Sequence, residues 1–268
     1  MNMIVAAAAL PTNEARAIVA LLCRSSHPHQ RTLKTIRKGF KAHLNRVLNF
    51  AKHETLRKLH RYVHSNRPLT GADNPGKTAF DPAELGQDLQ SMMYATMPDM
   101  LSESADSLGY DYTMPKQDVL DFIANRADLL SDLPDELFKR VADEISTGLA
   151  AGENISQLSD RVSQAFDDID SGQADVIADT ESAAAFNYAT NNAAKANGVR
   201  FKQWVHGGSR VPRDDHLAID GLVVPFDEPY PVGNPPLMFP HAPDGSPEDV
   251  INCSCVSIPA DASDYEGS

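Results

Sequence analysis

The run SRVPRDDHLAIDG, from Ser209 to Gly221, and the closing NCSC, from Asn252 to Cys255, are the two stretches from which the fold of this 268-residue chain is best inferred. Ten of the eighteen prolines fall between residues 211 and 259, in and around these two stretches. Proline and its companion turn residues interrupt helices. This part of the chain is therefore predicted to be a compact lobe of short strands and turns, unlike the sequence before it.

Apolar residues upstream of this lobe recur at helical spacing. The pattern predicts one or two basic helices before His64, four helices between Asp81 and Asp170, and a long helix that stops at Gly198. The fold class is therefore α+β: a mainly helical body, a helical bundle with one long helix, followed by a small proline-rich mixed α/β C-terminal lobe. The predicted domains are a basic N-terminal helical arm at 1–67, a linker at 68–80, an acidic helical domain at 81–198, the C-terminal lobe at 199–260 and a flexible tail at 261–268.

Charge is distributed very unevenly along the chain. Eleven Lys or Arg residues and one acid lie between His27 and Arg67, whereas twenty-three acids and five basic residues lie between Asp81 and Glu181. The net charge of -13 argues against nucleic-acid binding over the whole surface. For the basic helix three interpretations stay open: a solvated face, contact with a polyanion or an acidic protein, and, as the remainder, binding to a membrane surface. Contact with DNA would be to phosphates and independent of base sequence. The residues assigned to such contact are Arg46, Arg57, Lys58 and Arg61.

The cysteines and the apolar runs indicate which cellular compartment the protein occupies and whether it is soluble. Three cysteines, Cys23, Cys253 and Cys255, give no disulfide framework, so a reducing compartment is predicted. No apolar run approaches the ~20 residues that a membrane span needs, so a soluble protein is predicted. The first ten residues lack the positive start of a signal peptide, and none is predicted.

A set of residues with a fixed order and spacing resembles a known family. The set is Glu181, Asn187, Trp204, Arg210, Arg213, His216, Asp220, Gly221, Asn252, Cys253 and Cys255. Over roughly residues 118–259 it resembles the Mu F-like minor head proteins of tailed bacteriophages, the phage head morphogenesis family. Two positions depart from the family pattern, because Asp179 and Ser254 stand where the family usually has arginine.

The resemblance implies a minor capsid protein that is associated with the portal vertex and acts in head assembly or in genome packaging or delivery. It implies a place in the virion, in the capsid interior or at the portal vertex, and in the host cytoplasm during assembly. The implied partners are the portal protein and other capsid and head components. The resemblance does not reach the basic arm, for which composition alone offers DNA phosphates as a partner, and no membrane partner is predicted. No established catalysis is implied.

An enzymatic alternative rests on Arg210, Arg213 and His216. Two guanidiniums and an imidazole suit phosphoester or nucleotide chemistry, so the lobe could belong to a phage-associated effector enzyme, nuclease-like or transferase-like. The simpler interpretation is that the arginines pair with Glu181 and Asp220 and fix the lobe to the long helix.

The lobe also concentrates groups that bind metals. Two thiols, Cys253 and Cys255, and two imidazoles, His216 and His241, suit a tetrahedral structural zinc site, which would stabilise a lobe with a small core. Against zinc, Cys-x-Cys is a less typical ligand pair than Cys-x-x-Cys. The alternative is a pair of buried thiols beside hydrogen-bonded histidines.

Overall fold

A computed structural model describes residues 28–64, 79–208 and 212–265 of the chain. Arg210, Cys23 and most of the predicted linker lie outside the described residues. The helices are α1 (Pro28–His64), α2 (Pro82–Asp106), α3 (Lys116–Leu129), α4 (Asp132–Ala150), α5 (Ile155–Asp168), α6 (Ala174–Ala196), α7 (Asp214–Ala218), α8 (Pro247–Val250) and α9 (Ala262–Tyr265). The strands are β1 (Phe201–Val205), β2 (Val223–Pro225) and β3 (Val256–Ala260), and a π-helical turn, Ile169–Gln173, precedes α6.

The predicted fold class, α+β, is confirmed. Helices make up 67% of the molecule, and the small antiparallel sheet lies in the C-terminal region. The described residues form two compact units, one from 39–64, 79–97 and 117–178, the other from 28–38, 98–116 and the described part of 179–265. Each unit combines separate stretches of sequence, so the division into consecutive domains stays a prediction.

The first of these units contains a helical hairpin of α4 and α5. Asn154 begins α5 with a capping box, because its side chain accepts a hydrogen bond from the Gln157 amide while the Gln157 side chain accepts one from the Asn154 amide. The buried residues of each helix recur at helical spacing: Leu137, Val141 and Ile145 on α4, and Leu158, Val162 and Phe166 on α5. Burial of these two stripes stabilises the hairpin.

The second unit contains the sheet and the C-terminal half of α6. Strand β1 is central, with the order β2-β1-β3, and both pairings are antiparallel. Phe201 faces Pro225 on one side and Ala260 on the other. The lobe's core cluster comprises Trp204, Val224, Tyr230, Val232, Leu237, Phe239, Ala242, Cys253 and Cys255. Both cysteines of the NCSC stretch therefore lie in the apolar core of the lobe.

Helix α6 is buried nearly all round from Thr180 to Ala189, with only Tyr188 partly exposed in that stretch. Alanines at 183, 184, 185 and 189 are among its buried residues. Within the described ranges, every helix is too short or too polar to cross a bilayer.

Candidate functional site

Two side chains of α6 hold the backbone of the NCSC stretch. The Thr180 hydroxyl accepts a hydrogen bond from the Asn252 amide at 2.9 Å. Asn187 donates to the Cys255 carbonyl at 3.1 Å and accepts from the Ser257 amide at 2.9 Å. The Asn187 side chain therefore pairs with the chain around β3 as a neighbouring peptide group would. The motif residues on the long helix and at the end of the chain are brought together, although they are about 70 positions apart.

Of the predicted ion pairs between arginines and carboxylates, only those of Arg213 fall within the described residues. Glu181 is buried in α6. Arg213 donates to the Ile251 carbonyl at 2.7 Å instead of to the predicted carboxylate, so that part of the prediction is wrong. Asp220 accepts a hydrogen bond from the His206 amide at 2.9 Å. Arg210 lies outside the described residues, and its pairing with Glu181 stays a prediction.

The Asp220-Gly221 turn places the end of α7 against β1. Gly221 has a φ of +88°, which disfavours any residue with a Cβ, and its amide donates to the Trp204 carbonyl at 2.9 Å. Trp204 is fully buried, and its ring meets that of His216 edge to face at 5.2 Å. This turn therefore helps to set the position of His216, which lies on α7.

We call His216, His241, Cys253 and Cys255 the thiol–imidazole cluster, although the ligand atoms that all lie within 4.8 Å of one another are those of His216, Cys253 and Cys255. All four are buried, with exposed fractions of 1%, 2%, 4% and 2%. The Nδ1 atom of His216 lies 3.5 Å from the Cys253 sulfur and 3.7 Å from the Cys255 sulfur. The Cys255 amide points at the Cys253 sulfur at 3.4 Å. The two thiols are thus brought together with the predicted imidazole of His216.

The two thiols of the cluster differ in acidity. A hydrogen bond from Cys255 holds the pKa of Cys253 well below its usual range, against the effect of burial, and His216 and His241 lower it further. The pKa of Cys255 is raised, first by its hydrogen bond with Cys253 and then by burial. The pKa of Cys253 is therefore shifted down and that of Cys255 up by the same thiol–thiol contact.

Backbone geometry around the cluster is unusual at three positions. His241 and Asn252 have positive φ values of 64° and 55°, a region that few residues other than glycine adopt. A Cβ at Gly207 would lie 1.9 Å from the Ser254 carbonyl oxygen, so only glycine fits there. Sequence reasoning missed Gly207, although a Gly-Gly pair directly after a strand signals a close backbone approach.

Sequence reasoning also missed Lys202, which has 1% exposure. Its ammonium donates to the Met238 carbonyl at 2.6 Å and lies over the rings of Phe226 and Tyr230 at 5.4 and 5.3 Å. Burial lowers its pKa to about 8. The period-two alternation of a strand puts residue 202 on the same face as Trp204, so the sequence contained the signal.

The basic residues of α1 have mixed surroundings. Lys58 pairs with Glu84 at 2.8 Å, and Arg57 pairs with Glu54 on the same helix. Arg46 and Arg61 are exposed and have no ion-pair partner among the described side chains. Two other lysines of α1 also pair with acids of the first unit, at 2.6 Å in each case: Lys41 with Asp175 and Lys52 with Asp167.

Replacing Asn187 with alanine should lower the free energy of unfolding by about 2 to 4 kcal/mol, because two buried backbone groups, the Ser257 amide and the Cys255 carbonyl, lose their partner. Urea unfolding followed by Trp204 fluorescence measures this. The matched control is Asn191→Ala on the same helix, which is partly exposed and expected to change stability by at most about 0.5 kcal/mol. Equal effects of the two substitutions would contradict the bridging role.

The free energy of unfolding of the unmodified protein should rise as the pH increases, and Lys202→Met should abolish that rise. Because burial lowers the Lys202 pKa from 10.5 to about 8, the unfolded chain binds more protons than the folded chain in that window, and the free energy of unfolding rises as the pH increases. Between pH 8 and 10 we expect unmodified protein to gain about 2 kcal/mol relative to the variant. Urea unfolding at several pH values measures the difference.

The control for this comparison is Lys139→Met, at an exposed lysine of α4. Burial also raises the pKa of Tyr230, but that tyrosine is present in every variant and its contribution cancels. A Lys202→Met protein with the pH dependence of the unmodified chain would show that Lys202 titrates normally.

Comparison with known proteins places the described site inside a family segment. Residues 139–258 match the family model described as Phage Mu protein F like protein. A curated relative, the uncharacterized protein YqbB of Bacillus subtilis (strain 168), is 30% identical over 124 residues, which is 44% of this chain and 40% of the relative. No solved structure matches significantly. The matched segment contains α5, α6, the NCSC stretch and the whole thiol–imidazole cluster, and residues 139–258 are thus similar to the phage Mu F-like family.

Proposed function

We propose that this chain is a minor capsid protein of a tailed bacteriophage, associated with the portal vertex and acting in head assembly or in genome packaging or delivery. The family match over residues 139–258 carries the proposal, since that family is one of phage head morphogenesis proteins. The chain spans 40% of the length of the curated relative it matches, so partners and location are part of the proposal.

The geometry of the matched segment supports a docking unit. Asn187 and Thr180 fix the NCSC backbone to α6, and Arg213 is used on a backbone carbonyl. A rigid lobe attached to a helix suits a part that holds a fixed place in an assembly. The effector-enzyme alternative is less well supported, because a nucleophile or general base must reach its substrate. His216 and both thiols are almost completely buried.

The chain should cosediment with phage heads. Lysates of an infected or induced host are separated on a gradient, and the chain is followed by mass spectrometry beside the portal and major capsid proteins. We expect it in proheads and mature heads at a small, constant ratio to the portal protein. Recovery only at the top of the gradient, with none in either particle, would contradict the proposal.

The enzymatic alternative makes a different prediction in the same host. Toxicity on expression that disappears with His216→Ala and persists with His206→Ala would favour an effector. His206 is a suitable control because it is another buried histidine of the same lobe.

The basic helix is the part of the chain proposed to contact DNA phosphates or an acidic surface of the portal. Only Arg46 and Arg61 of the four assigned residues are both exposed and without a described ion pair, so they should contribute most. Replacing both with glutamine should reduce the slope of log affinity against log salt by about 2 for an unrelated duplex.

The matched control for the basic helix is Arg57→Gln with Lys58→Gln, which removes the same charge from residues paired with Glu54 and Glu84. This control should change the salt slope less. No salt-dependent DNA binding by the unmodified chain would leave an acidic protein surface as the partner, which pull-down with purified portal would test.

A further inference from the structure

The spacing of the thiol–imidazole cluster has the dimensions of a zinc site. In a tetrahedral site with Zn–S of about 2.3 Å and Zn–N of about 2.0 Å, a sulfur and a nitrogen ligand lie about 3.5 Å apart. His216 Nδ1 lies 3.5 Å from one sulfur and 3.7 Å from the other. All three ligand atoms lie within 4.8 Å of one another. Both nitrogen-to-sulfur distances therefore match those of a tetrahedral zinc site.

His241 supplies a candidate for the fourth position. Both of its ring nitrogens are buried and have no hydrogen-bond partner. They do not join the three ligand atoms that lie within 4.8 Å of one another, so the His241 ring has to turn towards the sulfurs to bind. Burying an imidazole without partners costs free energy, and its backbone is held at a positive φ of 64°. A bound ion would give one of these nitrogens a partner.

Other groups around the cluster suit a zinc site too. The Cys255 amide points at the Cys253 sulfur, and such amides stabilise a metal-bound thiolate. A carboxylate oxygen of Asp215 and one of Asp249 lie within 4.8 Å of a His216 ring nitrogen, but Nε2 of His216 makes no hydrogen bond to either.

The carboxylates themselves are poorer candidates for metal ligands. Asp215 is exposed and accepts a hydrogen bond from the His216 amide, and Asp249 accepts one from the Ser246 hydroxyl at 2.7 Å. Hard cations such as Ca²⁺ and Mg²⁺ take six or more oxygen ligands, counting waters. A pair of thiols and a pair of imidazoles favours zinc.

We propose that the thiol–imidazole cluster binds one zinc ion, through the sulfurs of Cys253 and Cys255, Nδ1 of His216 and a ring nitrogen of His241. Both sulfurs bind as thiolates, so binding releases to solvent the protons that the two thiols carry. The ion joins three separate segments: α7, the proline-rich loop that contains His241, and the NCSC stretch. The site is structural, because its four protein ligands leave no open position for a substrate. The zinc proposal does not depend on the proposed role in the phage head.

The first test is the metal content of the full chain, purified under reducing conditions without chelator and without a metal-affinity step. Elemental analysis should find one zinc per chain. Cys253→Ser with Cys255→Ser should lose it, and His216→Gln or His241→Gln should lose most of it. The matched controls, Cys23→Ser for the thiols and His206→Gln for the imidazoles, should retain one zinc per chain.

The second test uses unmodified protein and does not depend on how the variants fold. Cobalt(II) added to metal-stripped, reduced chain should give the intense visible bands of a tetrahedral site and a sulfur-to-cobalt charge-transfer band, and zinc should displace both. Zinc should also raise the melting temperature of the stripped chain.

Three results would overturn the zinc proposal. The first is a purified chain that contains no zinc and also gives no cobalt spectrum. The second is a double cysteine variant that retains zinc. The third is loss of zinc from the Cys23→Ser control alone. A cobalt spectrum without the sulfur charge-transfer band would also overturn it, since the ion would then be held by other groups.

Discussion

The lobe depends on one buried amide, the side chain of Asn187. Strand β3 is an edge strand: β1 pairs with one of its sides, and the other side faces α6. A buried edge leaves amides and carbonyls that need partners, and a helix can supply them only through side chains. Asn187 has one donor and one acceptor at the spacing of a peptide group, and it uses both on Cys255 and Ser257. The position of both cysteines, and hence of the thiol–imidazole cluster, follows from this contact.

The amount that could be predicted differs between the helices and the site, for a physical reason. Helix signals are local: the apolar stripes of α4 and α5 and the start of α5 at Asn154 depend on residues a few positions apart, and the structure confirms them. Site contacts join distant residues, such as Asn187 and Ser257. Composition could predict that Cys253, Cys255 and His216 share one small lobe. It could not predict that Arg213 would bind the Ile251 carbonyl, because a guanidinium satisfies carbonyls and carboxylates alike.

Charge counts along the sequence have a similar limit. The basic helix and the acidic middle of the chain predict an interaction between unlike surfaces, but the sequence does not say whether the partner is another molecule. Much of this complementarity is satisfied inside the first unit, where Lys41, Lys52 and Lys58 pair with acids of other helices. Exposed ion pairs contribute little to stability, generally below about 1 kcal/mol each. Their main effect here is to reduce the charge that remains for an external partner.

Asp179 shows how one departure from a family pattern can be accommodated. An acid stands there where arginine is usual, and it forms an ion pair with Arg37 of α1.

Inside the lobe water is excluded, so every polar side chain there needs a partner within the protein. Two thiols and two imidazoles occupy a core in which apolar side chains would pack at no cost in hydrogen bonds. The chain buries His241 at a positive φ with both ring nitrogens unpartnered, which is a costly arrangement for packing alone. The proposed zinc ion would offset that cost by bonding to the two thiols and the two imidazoles.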